Sequence, residues 1–212
     1  MRGRKKNKEN KNNTNDDGYS VFLLRQRYHL FRNYVMETMN LQEKFQCDLR
    51  LPNPPEDITE NIVKFLIRRE LGDRTCVWCK GVVGKTGDLF SSQGGLYEVK
   101  AFTSDGPCSF GPKKKFDCLF FLDMRRWLEN HFILWRFHLS NASPLFKNIP
   151  INGMKSSMQD KCERGLRPHV CFETIYEFLH DKKDSEGIEI CTKIYEGTFE
   201  NICNSLGKEK MD

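Results

Sequence analysis

The chain has 212 residues, of which 38% are hydrophobic and 30% charged, and its formal net charge at pH 7 is +5. That length and hydrophobic content suffice for one globular domain with a full core. No run of about 18 apolar residues occurs, so no membrane-spanning helix is predicted from the sequence.

The excess of positive charge is modest, and it is concentrated in the first residues and in local clusters. We therefore expect a basic patch rather than a basic surface, which favours a polyanionic partner. The nine cysteines show no regular framework, and the polar N-terminus does not have the pattern of a signal peptide. Reduced thiols and a cytoplasmic protein are the expectation.

Residues 1–18 are rich in Lys and Asn and poor in apolar residues, which predicts a disordered basic tail ahead of a single domain at residues 19–212. The first predicted element is an amphipathic helix at residues 19–41, with apolar residues at mixed spacings of three and four. We expect it to pack against the rest of the domain through Phe22, Leu23, Leu30, Phe31, Tyr34, Val35 and Met39.

A second helix is predicted to open at Glu56 and Asp57, because acidic residues favour the first turn and the prolines just before them block an earlier start. Glu60 lies in the turn between two residues of its apolar stripe, where it is either an exposed helix residue or part of a site. The stripe itself consists of Ile58, Ile62, Val63, Leu66 and Ile67.

Residues 87–102 predict a two-stranded hairpin that carries the candidate catalytic side chains. A Gly-Gly pair between two hydrophobic runs is a turn signal, so the strands should pair antiparallel and bring Asp88 back toward Glu98. Side chains alternate along a strand, so Glu98 and Lys100 share one face. Two carboxylates with room for water suit Mg²⁺, and we expect Asp88 and Glu98 to hold it.

The remaining pattern alternates strands and helices. It predicts strands at residues 116–123 and 131–139, a helix at 170–179, a strand at 187–195 and a terminal helix at 198–206. The expected fold class is therefore α/β, with a mixed central β-sheet flanked by helices.

The spacing Asp88-x9-Glu98-Val99-Lys100 resembles the motif of the PD-(D/E)XK nucleases and, within them, of the type II restriction endonucleases. The resemblance is strong over residues 54–123, although Gly87 stands where these enzymes usually have Pro. It implies a restriction-endonuclease-like fold. It also implies a site-specific endonuclease that hydrolyses phosphodiester bonds of double-stranded DNA.

The same resemblance implies a role for each residue of the site. Asp88 and Glu98 would hold Mg²⁺ against the scissile phosphate, and Lys100 would position the attacking water. Glu60, on the helix before the hairpin, would reach the metal site directly or through water.

Two segments are expected to contact DNA by this resemblance. The loop at residues 103–115 offers hydroxyl and ammonium donors to phosphate oxygens, namely Ser104, Ser109, Lys113, Lys114 and Lys115. The DNA-recognition part is expected at residues 140–170, where the run Gly165-Leu166-Arg167-Pro168-His169 resembles a run of basic residues near DNA in those enzymes. Its candidate contacts are Lys155, Gln159, Arg164 and Arg167.

The restriction-enzyme resemblance also implies a homodimer on palindromic sites and a cognate DNA methyltransferase as a functional partner. Two alternatives stay open. One is a repair, recombination or phage-type nuclease of the same superfamily that recognises DNA structure. The other is a zinc-stabilised, non-catalytic nucleic-acid-binding module built on Cys76 and Cys79, although a second ligand pair at comparable spacing is missing from the sequence.

Overall fold

The computed structural model describes residues 18–81, 87–151, 153 and 155–204. The predicted basic tail, apart from Gly18, lies outside the described residues. The helices within this part of the chain are α1 (Val21–Phe45), α2 (Glu56–Glu70), α3 (Pro144–Lys147), α4 (Met158–Glu163), α5 (Phe172–Leu179) and α6 (Phe199–Asn204). The strands are β1 (Val77–Trp78), β2 (Leu89–Ser91), β3 (Gly95–Phe102), β4 (Cys108–Ser109), β5 (Cys118–Asp123), β6 (Phe132–Phe137), β7 (Pro150–Ile151), β8 (Ser156–Ser157), β9 (His169–Val170) and β10 (Cys191–Gly197).

Six of these strands form one sheet in the order β1-β2-β3-β5-β6-β10. The β3 and β5 strands run parallel, and every other neighbouring pair in this sheet is antiparallel. Every residue of β5 is buried, as a continuous apolar run of strand length predicts for a central strand. Two further pairs, β4 with β9 and β7 with β8, lie outside this sheet.

Two hydrophobic clusters fill the space on the two faces of the sheet, and β5 contributes alternate residues to each. Phe120 and Leu122 point into the cluster formed with α1, α2 and α6. Leu119 and Phe121 point into the cluster formed with α3, α4 and α5. The predicted α/β class, with a mixed central sheet flanked by helices, is therefore confirmed, and its arrangement is consistent with a restriction-endonuclease-like fold.

The first helix was predicted with the wrong face against the core. Of the residues expected to pack, Val35 is buried and Phe31 is half-buried against Trp127, whereas Phe22, Leu30 and Tyr34 are 72%, 64% and 58% exposed. Leu23 and Met39 are also exposed. These residues are exposed because tertiary packing buries a different side of the helix. The buried residues of α1 are Leu24, Tyr28, Val35 and Thr38, and the Tyr28 ring stacks on Phe199 at 3.8 Å.

The strand predicted at residues 187–195 begins later than expected. The Asp184 carboxylate accepts hydrogen bonds from the backbone N–H groups of Glu186 and Ile188, and this turn delays the start of β10 to Cys191. Of the six helices in the described ranges, none is long and apolar enough to cross a membrane.

Candidate active site

The predicted hairpin is formed by β2 and β3, with Leu89 opposite Tyr97 and Ser91 opposite Gly95. Its turn is held by the Ser91 hydroxyl, which accepts hydrogen bonds from the backbone N–H groups of Gln93 and Gly94. Gly95 has a φ of 80°, a left-handed conformation that glycine adopts without steric cost. The turn therefore sets the register that places Asp88, just before β2, beside the middle of β3.

Alternation along β3 puts the charged and apolar side chains on opposite faces. Val99 points into the core cluster that includes α2. Glu98 and Lys100 point to the other face, where the Lys100 Nζ atom lies 2.6 Å from Glu98 Oε1. The Lys100 ammonium also lies 5.1 Å from the centre of the Phe110 ring.

Asp88 is held in the same place by two contacts. Its Oδ2 atom accepts a hydrogen bond of 2.9 Å from the backbone N–H of Val99. Its Oδ1 atom lies 2.7 Å from the Nζ atom of Lys114, which in turn lies 2.6 Å from Glu98 Oε2. The two carboxylates thus converge on one ammonium group, and a second ammonium, that of Lys100, completes a cluster of four charged side chains.

The carboxylates of this cluster are deeply buried, since Asp88 is 7% exposed and Glu98 only 1%. Neither oxygen of Glu98 accepts a hydrogen bond of standard geometry from the described part of the chain, and each instead meets an ammonium group in an ion pair. Burial lowers the pKa of Lys114, but the hydrogen bond that Lys114 donates to Asp88 and the negative charges of Asp88 and Glu98 outweigh it and hold that pKa above its ordinary value. Two negative and two positive charges therefore balance in this cluster.

Glu60 lies on α2 and is 4% exposed. It lines a cleft that is also lined by Asp88, Lys100 and Lys114. Burial and the nearby negative charge of Asp88 raise the pKa of Glu60 to about 7. A hydrogen bond of 2.6 Å from the Trp78 indole and the Lys80 ammonium at 3.2 Å act in the opposite direction. Glu60 and Asp88 thus line the same cleft, and the role predicted for Glu60 at a metal site stays a prediction.

The cleft itself is a cavity of about 380 Å³ between α2, the hairpin and the loop after β3. It is lined by charged residues from the cluster and by hydroxyl groups from the loop, including Glu60, Asp88, Lys100, Ser104, Ser109 and Lys114. Three of the residues predicted to contact DNA therefore face the same space as the carboxylates of Glu60 and Asp88.

The other predicted DNA contacts are spread more widely. Lys113, Lys115, Lys155, Arg164 and Arg167 are exposed side chains away from the described lining of that cleft. Gln159 lies on α4 and borders a second cavity of about 300 Å³, which also contacts Glu98 and Lys114. Its amide donates a hydrogen bond of 2.6 Å to the Glu163 carboxylate.

The oxygen donors fit Mg²⁺ better than they fit zinc. Buried carboxylate oxygens are the hard ligands that Mg²⁺ takes, usually one or two per site with water and substrate completing the octahedron, and both oxygens of Glu98 meet only ammonium groups in the described part of the chain. Cys76 and Cys79 are both buried, but residues 18–81, 87–151, 153 and 155–204 contain no group of three or more His, Cys, Asp or Glu side chains placed to hold a metal ion. A structural zinc site needs four such ligands.

The bridging position of Lys114 was not predicted. Three consecutive lysines give no signal in the sequence that distinguishes the middle one. In the structure, a tight turn closes with a hydrogen bond from the Lys114 backbone N–H to the Gly111 carbonyl, and the Asn141 amide donates to the Lys114 carbonyl. Lys114 is thereby half-buried while Lys113 and Lys115 are exposed.

The fold and site define an α/β protein with a cluster of buried carboxylates and lysines beside the β2–β3 hairpin. The family described as Bsp6I restriction endonuclease matches residues 25–179, well over half of the chain. The chain belongs to the Bsp6I restriction endonuclease family. Comparisons with curated proteins and with solved structures each gave no match. Restriction endonucleases cleave DNA at specific sites, so family membership indicates a nuclease with a DNA substrate.

Proposed function

We propose that the protein is a type II restriction enzyme of the PD-(D/E)XK superfamily, which hydrolyses double-stranded DNA with Mg²⁺. The observation that carries this proposal is the convergence of Asp88, Glu98, Lys100 and Lys114 on one face of the hairpin, within ion-pair distances of 2.6 to 2.7 Å. Buried groups of opposite charge in a cleft are typical of a catalytic site.

Asp88 and Glu98 are the residues that would hold Mg²⁺. When bound, Mg²⁺ supplies a Lewis acid that offsets negative charge developing on the scissile phosphate. Lys100 lies beside Glu98 on the same face and is restrained by the Phe110 ring, so it can hold the attacking water and stabilise the charged transition state. Glu60 contributes a further carboxylate on the opposite wall of the cleft.

Lys114 has to release at least one carboxylate before both can bind a metal ion. Its side chain also lines the cleft with Ser104 and Ser109, so the released ammonium can contact a phosphate of the DNA. The exposed Lys113 and Lys115 extend this basic surface outside the cleft. DNA binding and release of the carboxylates would then favour each other.

Sequence recognition is assigned to residues 140–170 of the chain. The exposed side chains of Lys155, Gln159, Arg164 and Arg167 are the candidate contacts, and Arg can read guanine in the major groove through its two parallel donors. A homodimer would place two active sites on the two strands of a palindromic site. A cytoplasmic location and a cognate DNA methyltransferase complete the proposal, since a restriction enzyme needs its own DNA to be protected.

Digestion of unmethylated plasmid and phage-length DNA tests this function, in Mg²⁺ and in chelator. We expect discrete fragments in Mg²⁺ and intact DNA in chelator. Asp88→Ala and Lys100→Ala should abolish cleavage while DNA binding is retained. Lys193→Ala, an exposed lysine on the edge strand β10, is the matched control and should cleave normally. A fully active Lys100→Ala protein would contradict the assignment, and cleavage confined to junctions would support a repair nuclease instead.

A further inference from the structure

The side chain and backbone of Asn141 hold the loop that carries Lys114. The Asn141 Oδ1 atom accepts a hydrogen bond of 3.1 Å from the backbone N–H of Phe116, and its Nδ2 atom donates one of 3.0 Å to the Lys114 carbonyl. The backbone N–H of Asn141 donates to the Phe116 carbonyl at 3.2 Å. One residue of the segment 140–170 therefore fixes three backbone groups within residues 114–116.

Aromatic rings support the same loop on both sides of its turn. The ring of Phe146, on α3, meets the rings of Phe110 and Phe116 edge to face, with centres 5.7 Å and 5.2 Å apart. All three rings are buried, so they anchor the loop to the body of the protein. The hydrogen bonds from Asn141 then set the orientation of the peptide group from which the Lys114 side chain departs.

We propose that Asn141 is a positioning residue of the active site, which directs the Lys114 ammonium toward Asp88 and Glu98. That ammonium lies 2.7 Å from Asp88 Oδ1 and 2.6 Å from Glu98 Oε2. Holding a long flexible side chain at one point costs conformational entropy, and a fixed backbone lowers that cost. Asn141 also borders the cavity of about 300 Å³ that Glu98 and Lys114 line, so it acts within the site.

An amide side chain suits this position because it carries an acceptor and donors on one planar group. It can therefore satisfy an N–H and a carbonyl of the same loop at once. Asn141→Asp would keep the size of the side chain and the acceptor for Phe116 but lose the donor to Lys114. Asn141→Ala would lose both side-chain hydrogen bonds.

Asn130 offers a matched control away from the site. Its Oδ1 atom accepts a hydrogen bond of 2.9 Å from the backbone N–H of Phe199, and its Nδ2 atom donates to the Glu200 carboxylate. Asn130→Gly removes this comparable pair of bonds. The residue has a φ of 60°, which glycine adopts without steric cost.

Acylation of lysines by an N-hydroxysuccinimide ester, followed by mass spectrometry, tests the proposal in chelator and without DNA. Lys114 is half-buried and ion-paired while Lys113 and Lys115 are exposed, so Lys114 should react more slowly than both in the wild type. Asn141→Ala and Asn141→Asp should each raise its rate relative to Lys113 at least about fivefold, because hydrogen bonds that restrain it are lost. Asn130→Gly should leave this ratio as in the wild type.

Urea denaturation establishes which variants are folded, and Asn141→Asp keeps the test available if Asn141→Ala does not fold. An unchanged ratio in either folded Asn141 variant would overturn the proposal. An equal rise in Asn130→Gly would also overturn it, because the effect would then be a general loosening of the protein.

A double-mutant cycle on Mg²⁺ binding extends the test, and this part rests on the proposed function. Asn141→Ala should bind Mg²⁺ about threefold more tightly than the wild type by calorimetry, because a less restrained Lys114 ammonium competes less with the cation. In a Lys114→Ala background the same substitution should change nothing, whereas additive effects would contradict the proposal. A wild-type chain that neither binds Mg²⁺ nor cleaves DNA would contradict the proposed function, and the acylation rates would still decide the role of Asn141.

Discussion

The β2–β3 hairpin and helix α1 depart in opposite directions from the usual distribution of side chains. The hairpin buries charge, with Asp88 and Glu98 exposed by only 7% and 1%, whereas α1 exposes Leu30 and Phe45 by 64% and 63%. Each arrangement costs free energy in the isolated chain, through desolvation in the first and through hydration of apolar surface in the second. Such departures from the usual distribution mark both regions as candidate functional surfaces.

The largest expected effect is the loss of cleavage when charge is removed from the hairpin. Glu98→Gln keeps the size of the side chain but removes a carboxylate that meets two ammonium groups and would bind the metal. We expect cleavage to fall by about 10²-fold to 10³-fold, as when one preorganised electrostatic contact is removed. Single-turnover cleavage of a plasmid measures it. Glu196→Gln, an exposed carboxylate on β10, is the control.

The second effect contrasts the two sides of α1. Leu24 is fully buried and Leu30 is 64% exposed, although both are leucines on the same helix. Leu24→Ala should lower the free energy of unfolding by about 2 to 5 kcal/mol, while Leu30→Ala should change it by less than about 0.5 kcal/mol. Urea denaturation at low protein concentration is the measurement, because dimerisation would add a concentration-dependent term. If Leu24→Ala and Leu30→Ala lowered the free energy of unfolding equally, the observed orientation of α1 would be contradicted.

The third effect is a pH dependence of stability that originates at Glu60. Burial and the negative charge of Asp88 raise the folded-state pKa of Glu60 to about 7 from an ordinary value of 4.5. The folded protein therefore retains a proton that the unfolded chain releases. This contribution to stability is fully present below pH 4.5 and is lost as the pH rises to about 7.

Glu60→Gln removes this titration. Between pH 4.5 and pH 8, the wild-type chain should lose up to about 3 kcal/mol of stability that the variant does not lose. Urea denaturation in chelator across this range measures the difference. Glu129→Gln, an exposed carboxylate, should follow the wild-type profile. If the wild type and Glu60→Gln showed parallel profiles, the raised pKa of Glu60 would be wrong.

The sequence was informative where a short pattern determines local structure. Period-two alternation on β3 predicted that Glu98 and Lys100 share a face, because strand geometry leaves no other arrangement. It was less informative about α1, where mixed spacings of three and four place apolar residues on more than one side. Contacts with distant parts of the chain select the buried side, such as the packing of Tyr28 on Phe199, 171 residues later. A local pattern does not contain that contact.

Lys114 illustrates a second limit on what can be predicted from the sequence. Its ammonium reaches Asp88 across 26 residues of sequence, and it does so because a loop turn directs one of three consecutive lysines inward. Charge composition predicted a basic loop near the site. The identity of the bridging lysine depends on backbone hydrogen bonds with Gly111 and Asn141, which are tertiary features.

The smallest expected effect concerns metal affinity and is specific to that lysine. Lys114 contributes the one positive charge that contacts both Asp88 and Glu98, among the residues whose side chains are described. Removing it leaves two buried carboxylates with less compensation, so the metal-free protein should be less stable and the site more negative. A divalent cation would then bind without competition from the ammonium.

Lys114→Ala should therefore bind Mg²⁺ about tenfold more tightly than the wild type in the absence of DNA, a difference of about 1.4 kcal/mol. Isothermal titration calorimetry measures the affinity, and the rise in melting temperature on adding Mg²⁺ should also be larger in the variant. Lys113→Ala removes the same charge from the exposed neighbouring position and should bind Mg²⁺ as the wild type does. Weaker binding by Lys114→Ala would mean that the lysine supports the metal site, and the two carboxylates would then need its charge even when a cation is bound.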